Sequence, residues 1–98
     1  MRIYQHRATV TAVSGTTSSA SLRVAGGICR QVLIVANTST TEFISYITDD
    51  DGMEVARYPL QTGELNDITA FPMSGQYTVN ITNASPDDTF KIYFGVEE

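Results

Sequence analysis

The densest group of ligand-bearing side chains is Asp49-Asp50-Asp51-Gly52, with Glu54 two residues on. Clustered carboxylate oxygens suit a hard divalent cation such as calcium. The helix-loop-helix calcium pattern, however, needs an aspartate where this chain has Ile47 and a bidentate glutamate where it has Tyr58. The run reads better as a hairpin tip, in which Asp-Gly supplies the positive φ values of a type I′ turn. His6 and Cys29, each the only residue of its kind, could pair as base and thiol nucleophile, but no local signature joins them. A zinc site would need several carboxylates to complete it. Glu64 and Asp67 could share acid–base work, yet they fall in a stretch that reads as a polar loop, without the apolar surroundings that raise a carboxyl pKa. Gly26-Gly27 precedes a strand rather than a helix, so it makes no phosphate cradle. The expectation is a chain with no catalytic residues, no cofactor and no metal.

Five tyrosines (Tyr4, Tyr46, Tyr58, Tyr77 and Tyr93) could form a stacking platform for a glycan, although Tyr77 is expected to face inward and the chain has no tryptophan. Asn37, Asn80 and Asn83 each begin an Asn-X-Ser/Thr triplet. Such triplets arise by chance in a chain this rich in Ser and Thr.

These residues must be carried by a small scaffold. The chain has 98 residues, enough for one domain over 1–98 with one core. Apolar residues make up 42% and charged residues only 17%, with 13 Thr and 8 Ser filling the gap. That mixture suits strands with one wet face. A formal charge of −5 argues against binding a phosphate backbone, which needs a basic field. The longest apolar run, Val32 to Ala36, is far short of the ~20 residues of a membrane-spanning helix. A single cysteine forms no disulfide within the chain. The basic start, Met1 to Arg7, has no apolar stretch behind it, unlike a secretory signal, so synthesis and folding in a cytoplasm are expected.

Period-two alternation dominates throughout. It predicts strands over 9–13 and 18–24, read together as an edge hairpin, and a break at Gly26-Gly27. Next comes a strand over 29–36 with both faces apolar, and therefore covered on both sides. A strand over 42–48 follows, then the Asp-Gly hairpin and a return over 53–58 ended by Pro59. Residues 59–67 read as a long loop and 68–71 as a brief strand. The last pair, 76–82 with Tyr77, Val79 and Ile81 inward and 89–94 with Phe90, Ile92 and Phe94 inward, reads as the most stable hairpin. The sum is an all-β, antiparallel β-sandwich or jelly-roll-like domain of about seven to eight short strands.

Charge is distributed unevenly. Arg2, His6 and Arg7 cluster at the start, and acidic residues dominate elsewhere. Residues 1–7 read as an extended arm that would bury Ile3 and Tyr4 on a neighbouring subunit and pair Arg2 or Arg7 with acidic patches. The Ser/Thr-rich strands behind it offer unpaired backbone for sheet extension. The expected assembly interface is therefore Arg2, Ile3, Tyr4, Arg7, Thr9, Thr11, Ser19, Ser21 and Arg23.

The run Gly27 to Ile34, followed by Thr41-Glu42-Phe43 and Ile47-Thr48-Asp49-Asp50-Asp51-Gly52, resembles small proteins of tailed-bacteriophage structural modules. Thr62 to Asp67 and Gly75 to Ala84 have the same character. The resemblance spans about residues 15–95 and rests on strand-and-turn style. It implies a non-enzymatic accessory virion protein, a head decoration or cement protein, that is assembled in the host cytoplasm and located in the virion. Its partners would be the major capsid protein or other virion subunits, with no nucleic acid and no membrane, and homo-oligomers, trimers above all, are implied too. The alternatives are a minor neck or tail subunit, and a monomeric glycan- or receptor-binding module using loops 37–41, 59–67 and 83–88.

Overall fold

The computed structural model describes residues 3–12 and 17–98. Among these the chain is all-β and antiparallel, with six strands and no helix. The strands are β1 (Ile3–Thr11), β2 (Ser18–Ala36), β3 (Glu42–Thr48), β4 (Glu54–Thr62), β5 (Glu64–Thr82) and β6 (Thr89–Glu97). They form one hydrogen-bonded sheet in the order β1-β6-β2-β5-β3-β4.

Two strands are 19 residues long, which is why the count falls below the expected seven or eight. Gly26-Gly27, expected to break the chain, instead lies at a register shift between Val24 and Gly27 inside β2. A bulge lets a strand turn without losing its ladder. Gly27 is required there, because a Cβ would run into the main-chain oxygen of Glu97. Pro72 is likewise inside β5, opposite Ile28. That stretch of β5 (64–73) pairs with β2 alone, so a missing donor breaks no second ladder.

The loop expected over 59–67 is mostly strand. Pro59 is tolerated because β4 is an edge strand and because it falls at a register shift between the pairs Phe43–Gln61 and Ser45–Tyr58. The reversal is a single turn at Gly63, with φ of 78°.

Two expected hairpins are not hairpins. β1 pairs along its whole length with β6, and the first half of β2 pairs with β5; β1 and β2 come close without a ladder between them. The segments 76–82 and 89–94 face inward as expected but do not pair with each other. β5 lies between β2 and β3, whereas β6 lies between β1 and β2.

The β3–β4 hairpin is present, with a different turn. Gly52 alone has positive φ (80°), Gly52 N–H donates to the Asp49 carbonyl (3.0 Å) and Asp49 N–H donates to the Met53 carbonyl (2.9 Å). That is a three-residue loop closed by a glycine bulge rather than a two-residue type I′ turn. The Asp49 carboxylate accepts from the N–H groups of Asp51 and Met53 (3.0 and 2.9 Å). It holds the tip together.

The long strands let one sheet curl around its own core. In a flat sheet β3 and β6, three strand spacings apart, would be separated by ~14 Å. The rings of Phe43 on β3 and Phe90 on β6 instead meet edge to face with centroids 5.0 Å apart. Around them are Val32, Ile34, Ile47, Val79, Ile81, Ile92, Phe94 and Val96, all buried. Burying each such side chain contributes about 1.5–3 kcal/mol. Cys29 is a fully buried core residue. The strand over 29–36 is covered unequally: Val32 and Ile34 are buried, while Leu33 and Val35 on the other face are half-buried.

Candidate assembly interface

The side of the sheet away from the core has two regions, and seven of the nine expected interface residues divide between them; Tyr4, opposite buried Val96, is exposed on the core side of β1. Arg2 lies outside the described residues. Ile3 (63% exposed), Tyr4 (44%), Arg7, Thr9 and Thr11 are all exposed on β1. The arm expected over 1–7 is, from Ile3 onward, paired with β6. His6 is half-buried, 3.3 Å from a carboxylate oxygen of Glu98.

Across β1, β6, β2 and β5 the register sets outward residues in rows. One row is Ile3, Glu97, Ile28 and Pro72, and the next is Gln5, Gly95, Gln31 and Ile68. Ile28 is exposed, and Ile68 is the most exposed large apolar side chain among the described residues (74%). Asn66, Ile68, Ala70 and Pro72, alternate residues of β5, are exposed as well. The absence of a side chain at Gly95 leaves Ile3 and Gln31 lying over it. Among these apolar groups are self-contained polar ones: Arg30 with Glu97 (2.8 Å) and Gln31 with Asn66 (2.9 Å).

Arg7 donates through Nε and Nη2 to Gln5 Oε1 (3.1 and 2.8 Å) and its guanidinium lies over the Tyr93 ring (5.6 Å). Lys91 is exposed and opposite Thr9. Neither cation has a carboxylate within ion-pair distance among the described residues.

Ser19, Ser21 and Arg23 are elsewhere, on the first half of β2, opposite Asn80, Thr78 and Gln76. Here the hydroxyl and amide groups satisfy one another, while Arg23 is exposed with no carboxylate within ion-pair distance among the described residues. Ser19 Oγ donates to Asn80 Oδ1 (3.2 Å), the Ser21 and Thr78 hydroxyls are 3.3 Å apart, and Asn80 Nδ2 donates to the Tyr46 and Thr78 carbonyls and to Thr48 Oγ1 (3.3–3.4 Å). Arg57 covers the Tyr46 ring (4.7 Å) and bonds Glu54 (2.8 Å). Its outward side is a tied polar surface.

The residues missed by sequence reasoning are Ile28, Ile68 and Pro72. Their signal is the alternation Asn66, Ile68, Ala70, Pro72, which is hidden if Pro59 and Gly63 are taken to open a long loop.

Other groups with chemistry are placed as follows. Glu64 and Asp67 are on β5, not in a loop, and Asp67 accepts a hydrogen bond from the Tyr58 hydroxyl (2.9 Å). Burial first, then that bond and the Asp67 charge, hold the Tyr58 phenol well above its ordinary value. Burial, with the Asp67 charge adding to it, also pushes the Cys29 thiol up. Both groups are thereby kept neutral, the opposite of an activated nucleophile. Ser45 Oγ is buried in the core with no hydrogen-bond partner.

A shallow groove of about 370 Å³ lies between residues 35–39 and the turn 62–64. No tyrosine lines it; Tyr46 and Tyr93 are each covered by a guanidinium and Tyr77 is buried with its hydroxyl bonded to Ser74. The five tyrosines therefore do not gather into one stacking platform.

No protein-family model matches the chain, and no curated protein matches it in sequence.

Proposed function

We propose that this chain is a non-enzymatic structural protein of a tailed-phage virion, a decoration or cement protein that stabilises the head through subunit contacts. We further propose that its curled sheet serves as a small sandwich-like block. The observation that carries the reading is the outward region of β1, β6, β2 and β5, where Ile3, Ile28, Ile68 and Pro72 stand in water on one side of the sheet. Grouped exposed apolar residues mark interaction surfaces. Covering them returns about 25 cal/mol per Å² of apolar area, and binding to the native state adds to the stability of a small domain. The strand-and-turn resemblance supplies the virion context.

The test is the stoichiometry of this chain in purified particles, measured by quantitative mass spectrometry against the main shell protein. Copies comparable in number to the shell protein support the head-coating reading. A few copies per particle reassign the chain to the neck or tail, and absence from particles overturns the virion reading altogether.

A further inference from the structure

The sheet has two outermost strands, and they are built differently. β4 carries Pro59, two register shifts against β3, and the Glu54–Arg57 ion pair. These are the devices by which an edge refuses a further strand. β1 has none of them: nine residues, Ile3–Thr11, pair with β6 without a proline or a shift. No ladder is formed on its other side among the described residues. The side chains beside that edge are basic at the centre, where Arg7 and Lys91 stand without carboxylate partners, in a chain of net charge −5.

We infer that the open edge of β1 is an acceptor for an extended segment of another protein, which adds as a seventh strand and places carboxylates beside Arg7 and Lys91. Main-chain hydrogen bonds supply the affinity of such an addition and alternate side chains supply its choice of partner. A second copy of β1 is the wrong occupant. Antiparallel self-pairing about the strand centre gathers two Arg7 and two Lys91 side chains on one face, and like charges so placed repel. Of the chain's own acidic groups near that edge, Glu98 is with His6, and Asp87 and Asp88 flank only the far end through main-chain bonds to Ala12. Glu64 shares the row of Lys91 but two strands away, across Val35, without forming an ion pair. This inference deepens the virion reading, under which the strand belongs to a neighbouring subunit.

The probe is a capped nine-residue peptide with Glu at alternate positions and Val or Thr between, titrated to millimolar concentration and followed by amide hydrogen exchange. Alternate β1 amides, those pointing away from β6, become protected, while β4 amides do not. The matching Lys peptide binds about tenfold or more weakly, and added salt narrows the difference. The double variant Arg7→Glu with Lys91→Glu, which alters only exposed side chains, reverses the preference.

Ala8→Pro and Thr9→Pro add a second check. Neighbouring residues point their N–H groups to opposite sides, so one variant injures the β6 ladder and the other only the open edge. The variant that stays folded loses the peptide. No protection of β1, equal binding of the two peptides, protection at β4, or a free protein that dimerises through β1 would each overturn the inference. Because the readout needs no particle, its failure is separable from the stoichiometry test. A chain abundant in particles whose β1 ignores the peptide keeps its function and loses this mode of contact.

Discussion

Ser19, Ser21, Thr78 and Asn80 on one region of the outer surface, and Ile3, Ile28, Ile68 and Pro72 on another, come from the same two long strands and their neighbours. Both stand behind one core. In the first, these four polar groups are bonded across the strands and a guanidinium covers the Tyr46 ring, with Arg23 alone an exposed cation without a carboxylate partner among the described residues. In the second, apolar groups stand in water beside two cations without carboxylate partners. The first region uses its side chains to hold the sheet together, and the second leaves its apolar side chains exposed. A stability measurement should therefore register changes in the first region and be nearly blind to changes in the second.

The most severe way to break this comparison is to remove what both regions share. Phe43→Ala deletes one partner of the ring pair that joins β3 to β6 and should cost about 3–5 kcal/mol in urea denaturation. Both regions should then lose amide protection together. Independent loss would mean that the sheet is not one cooperative unit.

Within the polar region, Asn80→Ala removes the bonds to Ser19, Tyr46, Thr48 and Thr78 and should cost about 1–2 kcal/mol.

Tyr58→Phe should cost about 1 kcal/mol at neutral pH through the lost bond to Asp67. It should also change the alkaline limb. The Cys29 thiol and Tyr58 phenol are both held above their ordinary values of 9.0 and 10.0, so the unfolded chain ionises first as pH rises. The stability gained by keeping them neutral is fully present below those values. It is lost as pH climbs through them toward the folded-state pKa values. Urea midpoints from pH 8 to 11 should fall in the native protein and fall less steeply in Tyr58→Phe.

Ser45→Ala should move the other way, raising stability by roughly 0.5–1 kcal/mol, because the buried hydroxyl it removes has no partner.

The smallest expected effect is the sharpest for the comparison. Ile68→Ser should leave the midpoint within about 0.5 kcal/mol of the native protein and, under the proposed function, weaken attachment to particles. A large loss of stability there would dissolve the distinction between the two regions.

Strand character was legible in the sequence because alternation is a local property. The inward positions of Tyr77, Val79, Ile81, Phe90, Ile92 and Phe94 follow from the two-residue period alone, and the structure buries each of them. In 29–36 the period left both faces apolar, and only the structure buries Val32 and Ile34 over Leu33 and Val35. The existence of the β3–β4 hairpin followed from Asp-Gly, although three residues, not two, close it. Alternation over 18–24 also sets Ser21 and Arg23 on the face opposite Ala20, Leu22 and Val24, and the structure exposes both; that they lie apart from the exposed residues of β1 was not legible.

Pairing was beyond sequence reach because it is a contest among edges. A strand such as 76–82 offers the same donors and acceptors to 89–94 as to 18–24, and nothing in its own residues names the winner. Gly26-Gly27, Pro59 and Pro72 misled for a related reason. Their local effect is to interrupt a strand, yet each falls at a register shift or beside an open edge, where the interruption bends the sheet instead of ending it. Whether a glycine stops a strand or turns it depends on the strands alongside. The sequence by itself determined, where apolar and polar residues alternate as in 76–82 and 89–94, which side of a strand faces the core. Only the tertiary structure decided which strands are neighbours, and so which exposed residues share a surface.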